Sequence, residues 1–308
     1  MTVAVETWPE LPLEAWRDSC ATLHMWTQVV GKIRMASAPH VNHWWQVPLY
    51  VTPRGLTTST MYRGPTGFRI DFDFEDHALR LETSAGVHES FALGAYPVAE
   101  FYDRVMAALA RLGVEVRIWP HPVEVVQAIP FDQDTVHAAY DPESVRRFWR
   151  ILLHADRALH EHRSRFLGKA SPVHFFWGSF DLALTFFSGR TAPPHPGGIP
   201  NLADRVAREA YSHECASAGF WPGNGAPAID APAFYAYAYP EPEGYPAAAV
   251  RAADALYSAE MGEYILPYEA VRRAEDPEEL LRDFFSSTYE AAAELGGWDR
   301  EALERRSG

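Results

Sequence analysis

Residues 171–190, SPVHFFWGSFDLALTFFSGR, decide how the rest of the chain is interpreted. Counted at every second position, one face of this stretch is apolar, with Phe176, Gly178, Phe180, Leu182, Leu184 and Phe186. The other face is mixed, with Trp177, Ser179, Asp181 and Thr185. Side chains of a strand alternate between its two faces, so the pattern predicts one long central strand with a core face and a face that carries a site.

The segments around this strand predict both helices and strands. Apolar spacing indicates helices over residues 13–30, 98–112, 141–166, 247–260 and 277–295. Alternating patterns indicate strands over residues 44–52, 56–62, 68–75, 114–119, 211–220 and 234–239. The fold class is therefore expected to be α+β, mainly antiparallel sheet with helices packed on one face.

Composition narrows the classes of function. The chain has 308 residues, 47% of them hydrophobic, and a formal net charge of −14. Such acidity argues against a general nucleic-acid binder and against docking on anionic membranes. The two cysteines, Cys20 and Cys215, form no metal-binding pattern, and the first residues lack the features of a signal peptide. These observations predict a cytoplasmic protein with no nucleic-acid or membrane partner, while the oligomeric state stays open.

The order of elements occurs twice along the chain. Each half has a helix, a Gly-Lys pair, an aromatic strand, further strands and a closing helix. Aligning His43 with His174 makes the apolar faces of the two aromatic strands coincide. We therefore expect two pseudo-repeated units, residues 1–125 and 126–308, packed about a pseudo-twofold axis as one compact unit. A ligand cleft is expected between them; the alternative is a chance similarity of two α+β halves.

Four motifs resemble a known family. They are NHWWQVPLYVTPRGLTTS, SPVHFFWGSFDLALTFFSGR, YSHECASAGFWPGNG and FYAYAYPEP. Together they are similar to DUF5996, a bacterial domain of unknown function, and the resemblance covers nearly the whole chain. It implies no established activity or catalytic residue. It does imply an arginine after the threonine of the central strand, where this chain has Phe186.

Four residues are candidates for acid/base catalysis: His174, Asp181, His213 and Glu214. Asp181 is flanked by aromatic residues, and burial raises the pKa of a carboxyl group. His213 neighbours Glu214, so one side chain is placed to orient the other. Structural alternatives stay open: Asp181 as the ion-pair partner of an arginine, and His174 as an ordinary core histidine.

Metal binding is a weaker alternative. His43, His174 and His213 would be the ligands, since a catalytic zinc needs about three converging N or O donors. The HxxH pattern of His40 and His43 falls in a loop, where it is far less specific than HExxH on a helix. No motif requires a cofactor, so the cofactor is unknown and a divalent metal stays possible.

Ligand contacts are expected from the central strand and from two Gly- and Pro-rich loops, 191–200 and 221–233. The candidate residues are Trp177, Ser179, Arg190, His195, Trp221, Asn224, Tyr235 and Tyr237. The first hypothesis is an enzyme that acts on a small molecule by acid/base chemistry. A non-catalytic protein that binds a small ligand in the same aromatic cavity is the second, and a structural protein that binds a partner through a flat aromatic patch is the third.

Overall fold

A computed structural model describes residues 7–223 and 230–305 of the chain. Within these ranges the fold is α+β, as expected, with seven α-helices and two antiparallel six-stranded sheets. None of the helices in the described ranges is both long and apolar enough to cross a membrane.

The helices begin and end at recognisable sequence signals. Pro142 opens one of them, and the carboxylate of Asp141 accepts a hydrogen bond from the backbone N–H of Ser144, which caps its free amides. The helices are α1 Leu13–Ser37, α2 Val98–Arg111, α3 Pro142–Arg163, α4 Asp204–Ala210, α5 Tyr268–Arg273, α6 Pro277–Leu295 and α7 Arg300–Leu303. The predicted helix 247–260 is wrong, because Leu256–Ser258 pairs with the neighbouring strand instead.

The first sheet is a meander that packs on α2. Its strands are β1 Tyr50–Thr52, β2 Gly55–Thr57, β3 Met61–Arg63, β4 Thr66–Asp73, β5 Ala78–Thr83 and β6 His88–Ala92. Their order is β1-β2-β4-β5-β6, with β3 also paired to β4. The predicted alternation of β4 is confirmed, since Phe68, Ile70 and Phe72 are buried. The predicted strand 114–119 is wrong: this segment forms no strand, although it buries Val114 and Val116.

The second sheet carries the candidate site. Its strands are β7 His174–Phe176, β8 Asp181–Thr191, β9 His213–Trp221, β10 Ala233–Tyr239, β11 Leu256–Ser258 and β12 Glu263–Pro267, in the order β11-β12-β10-β9-β8-β7. One face packs on α3 and α6 through Leu184, Phe186 and their neighbours. The opposite face carries the alternate residues of β8, β9 and β10 and points into a cavity.

The predicted single central strand is a hairpin. Residues 177–180 form a turn between β7 and β8, and Phe180 has a positive φ of 62° within it. Phe176 lies opposite Asp181 in the antiparallel register, so both point to the same face. Assigning every second residue to the same face is correct within β8 but not across the turn, because the chain reverses there and the alternation of a single strand ends. Phe176 therefore faces the cavity and not the core.

The two sheets meet at their inner edges. Leu49, just before β1, and Phe175 of β7 exchange two backbone hydrogen bonds of 2.9 Å. Helix α1 runs past Gly31-Lys32, which were expected to end it, and most of its residues are buried. The predicted strand 44–52 is reduced to Tyr50–Thr52, because the chain turns at His43 and Trp44, which both have positive φ. The duplication and the boundary between residues 125 and 126 stay predictions.

Candidate functional site

A cavity of about 350 Å³ lies on the open face of the second sheet. Helix α4 and the segment before it cover the sheet from above, and α1 closes one side. The floor is built from alternate residues of three strands, Asp181, Ala183, Thr185, Phe187, Cys215, Ser217, Tyr235 and Tyr237. The volume suits a small organic molecule, since such sites typically span about 300–1,000 Å³.

Aromatic side chains form most of the walls. Trp45, Phe176 and Trp177 line the interior, while Trp119 stands at the mouth with 63% of its surface exposed. The indole N–H of Trp177 donates to the backbone carbonyl of Val47 at 2.8 Å, which fixes the orientation of this ring. Residues from both halves of the chain therefore enclose the same space, with planar apolar surfaces held in place by polar contacts.

Asp181 is the buried acid of the floor. Its carboxylate accepts hydrogen bonds from the hydroxyls of Ser179 and Tyr235, one on each oxygen. Burial raises the pKa of Asp181, and the two hydrogen bonds offset this effect only in part. Asp181 is therefore an oriented carboxyl group that is easier to protonate than an exposed aspartate.

Glu124 is a second acid in the same cavity. The side chain of Gln28, on α1, holds the preceding residue: its amide N–H donates to the carbonyl of Val123 at 2.8 Å, and its oxygen accepts the Val123 N–H at 2.9 Å. Burial and the negative charge of Asp181 raise the pKa of Glu124 to about 7. A side chain at Gly178 would come within 2.0 Å of the Glu124 carboxyl oxygen, so glycine makes room for this acid.

Lys32 contributes a buried ammonium group. It lies on α1, is 2% exposed, and faces the rings of Trp119 and Trp177 at 5.4 and 5.9 Å from their centroids. Burial lowers the pKa of Lys32 to about 8. Two further polar residues of α1, Gln28 and His24, lie four and eight positions before Lys32. Gln28 donates to the carbonyl of Val123, and the Nε2 atom of His24 lies 2.8 Å from the carbonyl oxygen of Gly178, so both contact the backbone of the cavity walls.

Hydroxyl groups extend the polar floor, and a third acid lies on a neighbouring strand outside the cavity lining. The hydroxyls of Tyr211 and Tyr237 are 2.7 Å apart, and those of Thr185 and Ser217 are 2.9 Å apart. Burial, with a smaller contribution from Asp181, raises the pKa of Glu263 on β12 to about 8. The floor therefore carries donors and acceptors of hydrogen bonds next to Asp181 and Glu124, two acids with raised pKa values.

The raised pKa of Glu263 predicts a loss of stability with alkalinity. The folded protein holds a proton that the unfolded chain releases near pH 4.5, so this contribution is complete below pH 4.5 and disappears as the pH rises through about 8. Between these pH values, the free energy of unfolding of Glu263→Gln is expected to rise relative to that of the wild type by up to about 1.4 kcal/mol per pH unit. Urea unfolding from pH 5 to 8.5 measures this difference. Glu260→Gln, at an exposed position, is the control, and an equal slope for both variants would contradict the assignment.

Five of the catalytic and ligand-contact candidates predicted from the sequence line the cavity: Trp177, Ser179, Asp181, Tyr235 and Tyr237. His43, named only for the weaker metal alternative, lines it as well. His174 is not among the residues that line it. This histidine is fully buried on β7 against the rings of Trp45, Tyr50 and Phe176, and neither ring nitrogen has a hydrogen-bond partner in the described part of the chain. Burial lowers the pKa of His174 to about 3, so it stays neutral in the folded protein.

The histidine cluster does not form a metal site. The rings of His43 and His213 are 5.6 Å apart, but both nitrogens of His43 have other partners. Its Nε2 accepts from the ammonium of Lys169 at 2.6 Å, and its Nδ1 donates to the carbonyl of Ala210 at 3.0 Å. Across residues 7–223 and 230–305, no three His, Cys, Asp or Glu side chains are placed to hold a metal ion.

Glu214 and Arg190 lie outside the cavity and form a structural contact. The carboxylate of Glu214 pairs with the guanidinium of Arg190 at 2.7 Å and accepts from the hydroxyl of Ser188. The same guanidinium donates to the carbonyls of Gly296 and Gly297, just beyond α6. These bonds tie β8 and β9 to the end of α6, where free carbonyl groups attract a cation.

The remaining candidates lie around the site or beyond its description. His195 stacks on Tyr211 with ring centroids 4.8 Å apart, behind the cavity floor. Trp221 ends β9, pairs with Ala233 and packs beside Tyr235. Asn224 falls outside the described residues.

Sequence reasoning missed Lys32, Glu124 and Gln28. A signal for α1 was present, because His24, Gln28 and Lys32 recur every four residues in the otherwise largely apolar stretch 23–33 and so share one face. A second signal was that Lys32 is one of only two lysines in the chain. No local pattern marks Glu124, since its position depends on a contact 95 residues away in sequence.

Fold and site together define an α+β protein with an aromatic cavity that contains a buried aspartate, a second acid and a buried lysine. The chain belongs to DUF5996, a family of unknown function, whose model matches residues 8–305. The resemblance seen in the sequence motifs is thereby confirmed. No match was found among curated proteins or among solved structures.

Proposed function

We propose that this protein is an enzyme that transforms a small molecule in the described cavity by acid/base chemistry. The observation that supports this most directly is the presence of two carboxyl groups with raised pKa values, Asp181 and Glu124, in one cavity. They come from segments more than 50 residues apart in sequence. Perturbed acids that converge in a cleft are typical of active sites.

Each acid has a distinct role in this proposal. Glu124, with a pKa of about 7, exchanges a proton with the substrate, because acid/base catalysis is most efficient when the pKa is close to the working pH. Asp181 is held by Ser179 and Tyr235 and donates or accepts the second proton at a fixed position. The aromatic walls hold the substrate and exclude water. The proposal thus assigns the acid/base role to Asp181 and Glu124, and not to His174, His213 or Glu214.

The alternative is a non-catalytic binding protein that uses the same cavity. Its support is the bond between Tyr235 and Asp181, which is also a stable structural pair, together with the aromatic lining. In that case Asp181 shapes the pocket and no bond of the ligand changes.

Untargeted metabolite profiling separates these two functions. The purified protein is incubated with a small-molecule extract, and mass spectrometry follows both conversion and retention of each compound. With wild-type protein we expect conversion of at least one compound, reduced about 10²-fold or more by Asp181→Asn, since loss of an acid/base group typically costs 10²–10⁴. Asp103→Asn, at an exposed position on α2, is the matched control and should convert at the wild-type rate. Retention without conversion would support the binding alternative. If no compound were either converted or retained, both proposed functions would be overturned.

We also propose that the fold arose by duplication and that the protein works in the cytoplasm. The order helix, antiparallel strands, helix in each half supports a duplication, as does the antiparallel contact of β1 and β7 near Leu49 and Phe175. The two free, buried cysteines fit a reducing compartment.

A further inference from the structure

Lys32 is an unusual residue in this chain, because it is a lysine and because its ammonium group is buried without an anionic partner among the described residues. Of the 27 basic residues in the chain, only Lys32 and Lys169 are lysines, and all the others are arginines. Lys32 is 98% buried, on α1, and lines the cavity. Its ammonium forms no hydrogen bond and no ion pair with any residue in the described ranges, although many exposed arginines do.

A buried cation without an anionic partner is costly. An ammonium group in an apolar environment loses its hydration, and in folded proteins such groups are normally paired. The rings of Trp119 and Trp177 recover part of this cost through cation–π contacts. Asp181 and Glu124 line the same cavity, but neither is within 4.0 Å of the ammonium, the limit for an ion pair. The charge therefore faces the space that a ligand would fill.

We propose that Lys32 binds the carboxylate of a small organic acid whose planar apolar body lies against Trp177 and Trp119. This rests on the proposed function and names the substrate class of that same cavity. One ammonium group balances one negative charge, so a monoanion fits better than a phosphate dianion, whose second charge the single ammonium of Lys32 would leave unbalanced. A compact ammonium also suits a single carboxylate oxygen in the space between two indole rings, where the wide fork of an arginine would need several acceptors.

Binding of paired probes tests this proposal directly. The probes are benzoate, phenylacetate and indole-3-acetate, each compared by calorimetry at pH 7 with its uncharged amide of the same shape. At least one carboxylate is expected to bind tenfold to a hundredfold more tightly than its amide, the range expected for one charge-assisted hydrogen bond. Equal binding of all acids and amides, or tighter binding of inorganic phosphate than of every carboxylate, would overturn the proposal.

Two variants assign the preference to Lys32. Lys32→Met keeps the length of the side chain without its charge and is expected to bind acid and amide equally. Lys169→Met removes the other lysine, which lies outside the cavity lining and contacts His43, and should keep the wild-type preference. A preference that survives in Lys32→Met would contradict the assignment. Circular dichroism and thermal unfolding confirm that each variant is folded.

A second measurement observes Lys32 directly in the wild-type protein. Labelling with ¹³C-lysine gives only two Cε signals, one from each lysine, and the Lys169→Arg variant assigns them. The tightest-binding carboxylate is expected to shift the Lys32 Cε signal, while its amide and inorganic phosphate leave it in place. A carboxylate that binds without moving this signal would place the anion elsewhere.

The failure of this proposal is distinct from the failure of the proposed enzyme. The carboxylate preference is a binding measurement that needs no turnover, so it is read independently of the conversion of any compound. Conversion of metabolites that depends on Asp181, without any carboxylate preference, would remove Lys32 as the anchor and leave the enzyme intact. A preference that depends on Lys32, without conversion of any compound, would identify a carboxylate-binding protein instead.

Discussion

Replacing Gly31 with alanine is expected to lower the free energy of unfolding by about 3 kcal/mol, the upper part of the range for overpacking. The usual effect has the opposite sign, because alanine in a helix is about 1 kcal/mol more favourable than glycine. In α1, however, a Cβ atom at position 31 would lie 2.2 to 2.4 Å from three atoms of the Trp177 indole. This ring is rigid and is fixed by its hydrogen bond to Val47, so it has little freedom to move away.

A double-mutant cycle tests this explanation. Urea unfolding is measured for wild type, Gly31→Ala, Trp177→Leu and the double variant. Once the indole is gone, Gly31→Ala should cost nothing or stabilise by up to about 1 kcal/mol, since only helix propensity remains. Gly94→Ala is the control, because the nearest atom to its Cβ is 3.9 Å away and the change should stay within about 0.5 kcal/mol. If Gly31→Ala cost the same with and without Trp177, the packing explanation would be wrong.

The local parts of the fold could be predicted from the sequence. The alternation of Phe68, Ile70 and Phe72 in β4 and the helix predicted over residues 141–166 depend on neighbours within a few residues, and both predictions are confirmed. Within β8 the parity of Asp181 and Thr185 is also confirmed, because nothing interrupts the strand there. The polar residues that β8 contributes to the floor could therefore be placed on one face from the sequence pattern alone.

The walls of the site could not be predicted in the same way. Glu124 reaches Asp181 because Gln28 holds the backbone of Val123, and no local pattern encodes a contact over 95 residues. The turn at 177–180 was hidden, since its turn-forming residues Gly178 and Ser179 stand between aromatic residues that also suit a strand. Lys32 was assigned to a helix end because Gly-Lys resembles a stop signal, whereas this glycine is required by the close approach of Trp177.

Replacing His174 with leucine is expected to make the protein more resistant to acid. Burial lowers the pKa of His174 from 6.5 to about 3, so its contribution to stability is complete above pH 6.5 and is lost as the pH falls toward 3. Below pH 6.5 the free energy of unfolding of the variant should therefore rise relative to that of the wild type by about 1.4 kcal/mol per pH unit, which is about 2 kcal/mol at pH 5. At neutral pH leucine should cost little, since both ring nitrogens lack a hydrogen-bond partner in the described part of the chain.

The comparison of the two proteins at each pH is what isolates this effect. In the wild type, Asp181, Glu124 and Glu263 have raised pKa values and stabilise the fold as the pH falls, which opposes the histidines and flattens the profile of the whole protein. Urea unfolding of wild type, His174→Leu and the control His88→Leu, at an exposed position, is measured from pH 7.5 to 4.5. A difference between wild type and His174→Leu that does not change with pH would show that His174 accepts a proton in the fold. It would then be open to solvent, and the acid/base role that its sequence position first indicated would return.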